Sequence, residues 1–183
     1  FWTTLITSQV DGTALTASTT ATSIIPPAAI YTLPNNFFYI GKTLLIRAKG
    51  RISNVVTTPG TLTFSVRLGT GPVIAATSDA LGLNVVAKTN VAWSLEWELT
   101  CRAIGGGTSA NLMHNGIFQS ESVIGSVAVA VGTIGTLPLV AATPAVGTGF
   151  DSTAAQKVDF FATWSLNNAN SILVHQFDLI DTN

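Results

Sequence analysis

Catalysis and metal binding need side chains of the right kind brought together, and this sequence offers few. Its two histidines, His114 and His175, stand apart with no cysteine pair or HExxH spacing near them. Each therefore reads as a partly buried, hydrogen-bonded imidazole, and no metal ligand is expected. The single cysteine, Cys101, shares alternate positions with Trp97 and Leu99, where a thiol behaves as a small hydrophobe. No GxSxG elbow is present to expose a nucleophile. Glu96 and Glu98 lie two residues apart, and Asp178 and Asp181 sit near the C-terminus. Glycosidase carboxylates face each other across a cleft from separate elements, so acids at i and i+2 read as solvated or ion-paired. Gly105-Gly106-Gly107 is followed by neither Gly-Lys-Ser nor Gly-Lys-Thr and reads as a turn, not a phosphate cradle. The expectation is a chain without catalytic, cofactor-binding or metal residues, hence no enzyme and no cofactor.

A sharper pattern is basic. Arg47, Lys49 and Arg51 alternate with Ile46, Ala48, Gly50 and Ile52, which gathers three of the eight basic residues into one stripe on one strand face. One reading is a solubilising face. The other is a docking strip for an acidic neighbouring subunit, or for the interface acids Glu96 and Glu98 on a copy of the same chain.

The elements that must carry these residues are strands. Period-2 alternation recurs: Trp93, Leu95, Trp97, Leu99 and Cys101 against Ser94, Glu96, Glu98, Thr100 and Arg102; Leu62, Phe64, Val66 and Leu68 against Thr61, Thr63, Ser65 and Arg67; and Val158, Phe160, Ala162, Trp164 and Leu166. Phe64, Trp93, Trp97, Phe160 and Trp164 are expected in the core between two sheets. That leaves Trp2 as the exposed ring and gives carbohydrate stacking little support. Further strands are expected at Thr43–Val56 and Ser171–Ile180, the latter burying either its odd or its even side chains. Weaker ones are expected at Phe1–Ser8, Thr20–Ile25, Val73–Ala76, Asn84–Ala87 and Asn111–Gln119. Only Ser78–Leu83 and Thr153–Gln156 have any helical character, about one turn each. The fold class is all-β, an antiparallel two-sheet sandwich, jelly-roll-like, as one domain over residues 1–183.

Composition bears on partners. Charged residues make up 9% of the 183, against the usual share of about 25%, and formal net charge is −1. A surface so poor in charge is expected to be covered by copies of the chain, as a homo-oligomer, with a trimer expected. The near-zero charge speaks against nucleic acid as a partner. No charged residue occurs between Glu121 and Asp151, yet glycines and prolines punctuate the stretch, which favours short strands over a membrane span. Two segments differ in texture: residues 12–29 could form either an edge strand or an arm laid on a neighbour, within a possible N-terminal arm over residues 1–29, and residues 123–149 a long small-residue loop or hairpin. A lone cysteine forms no internal disulfide, which is compatible with assembly in the cytoplasm.

Three segments carry a resemblance: Asn36-Phe37-Phe38 through Gly41-Lys42 and Arg51-Ile52-Ser53-Asn54 to Pro59-Gly60-Thr61-Leu62; Leu99-Thr100-Cys101-Arg102-Ala103-Ile104-Gly105; and Gly149-Phe150-Asp151-Ser152-Thr153-Ala154-Ala155-Gln156. Together they resemble small β-rich virion structural proteins of tailed bacteriophages, over most of the chain. The resemblance implies a virion component assembled in the host cytoplasm. The expected role is a capsid decoration protein whose partners are the major capsid protein or another virion protein. The alternative is a tail or adsorption-apparatus component, or a glycan- or receptor-binding β-sandwich module.

Overall fold

A computed structural model describes residues 2–69, 73–126, 135–140, 145–147 and 149–183. Two antiparallel sheets form a sandwich. The larger has the order β1 (Thr3–Thr7), β15 (Ser171–Asp181), β5 (Thr43–Asn54), β9 (Lys88–Ala103), β10 (Asn111–Ser120), β12 (Gly135–Pro138), with β2 (Leu15–Thr16) on β15 and β13 (Ala145–Val146) on β10. The smaller runs β11 (Val123–Ser126), β8 (Leu81–Leu83), β6 (Thr61–Leu68), β14 (Gln156–Trp164), β3 (Thr22–Ser23), with β4 (Tyr31–Leu33) on β14 and β7 (Val73–Thr77) on β6. The fold class expected from alternation is the one observed.

The alternating apolar positions face inward as their parity requires. β9 buries its odd side chains from Trp93 to Cys101, β5 its even ones, and β14 its even ones from Gln156 to Trp164. Between the sheets the rings of Phe64 and Phe160 stack at 5.3 Å, and Phe118 and Phe177 extend the cluster. Trp164 and Trp93 solve the problem of burying an indole by donating their Nε1–H to backbone carbonyls, Leu15 for the first, Arg51 and Leu173 for the second. Each large ring on β9 also has a glycine as a cross-strand neighbour: Gly50 pairs with Trp93, Gly116 with Trp97. A Cβ on Gly50 would stand 1.9 Å from the Leu173 carbonyl oxygen and 2.9 Å from the Trp93 Nε1, so no side chain fits there.

Several local expectations need correction. In residues 12–29, β2 and β3 pair with this chain's own sheets, as the edge-strand reading expects, and Ile24 and Ile25 are fully buried in its own core. The Thr20–Ile25 strand shrinks to Thr22–Ser23, because Ile24-Ile25-Pro26 turns inward. Asn84–Ala87 is a loop, and strand pairing falls instead on Leu81–Leu83 inside the segment read as helical, since Leu81 and Leu83 both reach the core. Thr153–Gln156 is not helical: the Asp151 carboxylate accepts from the Thr153 N–H and hydroxyl in a turn, and Gln156 already opens β14. In β15 neither parity holds throughout. A bulge between Val174 and Gln176 lets Ile172 and Val174 point inward before it and Phe177 and Leu179 after it, leaving His175 and Gln176 exposed. Of the segment 123–149, residues 127–134, 141–144 and 148 lie outside the described residues, so the loop-or-hairpin reading is not addressed there.

Candidate binding face

The chemistry-bearing residues are dispersed. His114 is buried on β10, its Nδ1 facing the Trp97 indole N–H at 3.4 Å, and burial pushes its pKa down against the opposing charge of Asp79. His175 is exposed and pairs through Nδ1 with Asp11 at 2.9 Å. The Cys101 thiol is buried, and burial raises its pKa, so it is protonated and unreactive at neutral pH. Among the described residues no three His, Cys, Asp or Glu side chains converge as metal ligands, and no helix is long and apolar enough to cross a membrane. Gly105 and Gly107 have positive φ, as a turn requires. Asp181 is taken up by Lys42, a nearly buried lysine that also touches the faces of Phe37 and Tyr39. Sequence reasoning passed over Lys42, because nothing in a single Gly-Lys-Thr step announces a buried cation.

The residues that do come together lie on the outward face of the larger sheet. Register places them in rows across the strands. Gln176 of β15, Lys49 of β5, Ser94 of β9, Gln119 of β10 and Thr136 of β12 form one row. Ser94 donates to the Gln119 Oε1 at 3.2 Å, and the Gln119 amide reaches the Thr136 hydroxyl at 3.5 Å. The adjacent row runs Asp178, Arg47, Glu96, Ile117, Pro138. On the other side, Arg51 lies beside Leu173 and Ala92. Between Arg51 and the Lys49 row the face sinks into an open trough of about 880 Å³, with Gly50, Ala92 and Ser94 lowering its floor and Lys49, Arg51 and Gln119 among its walls.

No family model and no curated protein matches the chain. Among solved structures it aligns with the CBM2 module of the evolved Dit of Lactobacillus casei BL23 phage J-1, at 12% identity and a TM-score of 0.31, over 83% of this chain and 68% of that one.

The basic stripe lies on the outward face, yet its members are in different states. Arg47 forms an ion pair with Glu96 of the same chain at 3.0 Å and stacks against the Trp2 ring at 5.3 Å. Glu96 is therefore engaged within its own sheet. Lys49 and Arg51 have no side-chain ion pair or hydrogen bond among the described residues. Glu121, on the trough's rim, is held by Lys88 at 3.2 Å. The polar row beside Lys49 was missed in sequence because Ser94, Gln119 and Thr136 belong to strands joined only by register. Each looks like an ordinary outward position on its own strand.

Proposed function

We propose that this chain is a non-enzymatic virion protein of a tailed bacteriophage that works by binding, as a module of the tail or adsorption apparatus, through the outward face of its larger sheet. The observation that carries the reading is the trough itself: an open depression on the sheet, with two cations in its wall that have no ion pair among the described residues. A five-strand register fixes the spacing of the attachment points, so no strand need rearrange when the side chains engage a partner. The likeness of the three sequence segments to phage virion proteins supplies the setting.

Capsid decoration is the second reading, favoured by the low charge of the whole chain. Quantitative mass spectrometry of purified particles separates the two. A few copies per particle supports the tail or adsorption module, a shell-like copy number supports decoration, and absence from particles refutes both. For the binding face, Ser94→Trp fills the trough from an outward position without touching the core. Loss of attachment, to particles or to host cells, is the expected result.

A further inference from the structure

We infer that the trough binds an acidic oligosaccharide, its anionic groups on Lys49 and Arg51 and its hydroxyls on the row of Gln176, Ser94 and Gln119; this rests on the outward face being the contact surface. Lys49 and Arg51 occupy alternate positions of one strand, so their attachment points are roughly 7 Å apart and both cations reach the same trough. Neither is neutralised by a carboxylate of the described chain, unlike Arg47 on the same stripe. Two like charges held together without a partner among the described residues are most simply accounted for by an anion arriving from outside. Arg51 can meet a carboxylate or phosphate with two parallel N–H donors, and Lys49 acts as a point charge.

The row beside them argues for a saccharide. Its amides and hydroxyls both donate and accept, which is what sugar hydroxyls require. They recur once per strand, at roughly 4.8 Å, comparable with the length of one sugar ring. A peptide could not bind there by adding a strand, because β5, β9 and β10 are interior and already paired on both sides. Single-stranded nucleic acid needs aromatic faces to stack its bases. Of the rings lining the trough, Trp93 is buried with its indole N–H committed to the Arg51 and Leu173 carbonyls, and the His175 imidazole is paired with Asp11.

Calorimetric titration of the whole chain at low salt tests this, using a hexagalacturonate, a phosphorylated oligomannoside, neutral cellohexaose and an oligoglutamate. Binding of at least one acidic oligosaccharide is expected, the carboxylate and phosphate probes showing which anion is preferred. Affinity should fall at least tenfold in Lys49→Gln/Arg51→Gln and several-fold in Gln119→Ala. Arg47→Gln, an equal removal of charge from the same stripe, should leave it nearly unchanged. Far-UV circular dichroism checks that each variant remains folded. The inference is overturned if neither acidic oligosaccharide binds, if binding survives the double variant, or if cellohexaose binds as tightly. It is also overturned if oligoglutamate binds more tightly and ignores Gln119→Ala, an outcome that assigns the cations to an acidic protein partner. Should Ser94→Trp abolish attachment while no acidic oligosaccharide binds, the saccharide falls and the binding face stands. Should Ser94→Trp leave attachment intact, the binding face falls with it.

Discussion

His114 illustrates how one partner sets the state of a buried ring. The Trp97 indole can only donate, so Nδ1 must accept and the proton of the neutral imidazole sits on Nε2, which has no partner among the described residues. Protonation would put a second N–H against the indole and a charge in the core. Burial accordingly holds the folded-state pKa below 6.5, with Asp79 opposing. The unfolded chain, titrating near 6.5, takes up the proton first. Stability contributed by neutral His114 is thus complete above that pH and is lost as pH falls from about 6.5 towards the folded value, by at most about 1.4 kcal/mol per pH unit. Denaturant midpoints measured from pH 8 to 5 should show this fall, and His114→Gln should lack it. An unchanged pH profile in the variant would assign the acid sensitivity elsewhere. Gly50→Ala is expected to cost more at neutral pH, about 2 kcal/mol or above, because its Cβ meets the Leu173 carbonyl and displaces the Trp93 indole. That the glycine lay on the inward side was legible from alternation, but the indole occupying its vacant space was not, since cross-strand neighbours are set by register.

Strands with an unbroken period of two were readable, and β9 is the clearest: one frame of alternation runs from Trp93 to Cys101 and places both of its indoles. β15 resisted because both parities carry apolar residues, and only a bulge at His175 reconciles them. Short strands such as β8 escaped because three residues hold too little alternation to compete with a helical reading. The contrast between β9 and β15 gives a test. Deleting His175 removes the extra residue and restores simple alternation, keeping Val174 and Phe177 inward, so the protein should fold. The loss should be small, about 1 kcal/mol or roughly 2–4 °C in Tm, reflecting the exposed pairing with Asp11. Deleting Glu96 should instead flip one half of β9 relative to the other and carry either Trp93 or Trp97 out of the core, giving insoluble or unfolded protein. Similar melting of the two deletions would show that the bulge does not set the frame of β15.

At the scale of the molecule, the low charge seen in composition has a spatial counterpart at the two ends of the sandwich. Because β5 and β9 run antiparallel, the loops before β5 and after β9 share one end, where Tyr39, Ile40 and Ile104 are exposed. The loops after β5 and before β9 share the other, where Val56, Val85 and Val86 are exposed and the Thr57 N–H bonds the Val85 carbonyl. Apolar loop tips of this kind are what association between copies would cover, and a head-to-tail contact joins unlike ends and closes into a ring when its rotation permits. The expected native mass is three times the 19.0 kDa of the chain. Val85→Asp combined with Val86→Asp should shift light scattering towards the single-chain mass without altering the β-rich spectrum, since neither side chain packs into the core of its own chain. Salt then distinguishes this contact from the trough. Raising it to about 1 M shortens the Debye length to about 3 Å, which should weaken an anionic ligand on Lys49 and Arg51 while leaving an apolar end-to-end contact intact. A stable monomer of the unaltered chain at micromolar concentration would rule out self-association as the explanation for the missing surface charge. A trimer that dissolves in salt would shift the contact from the loop tips to the charged face.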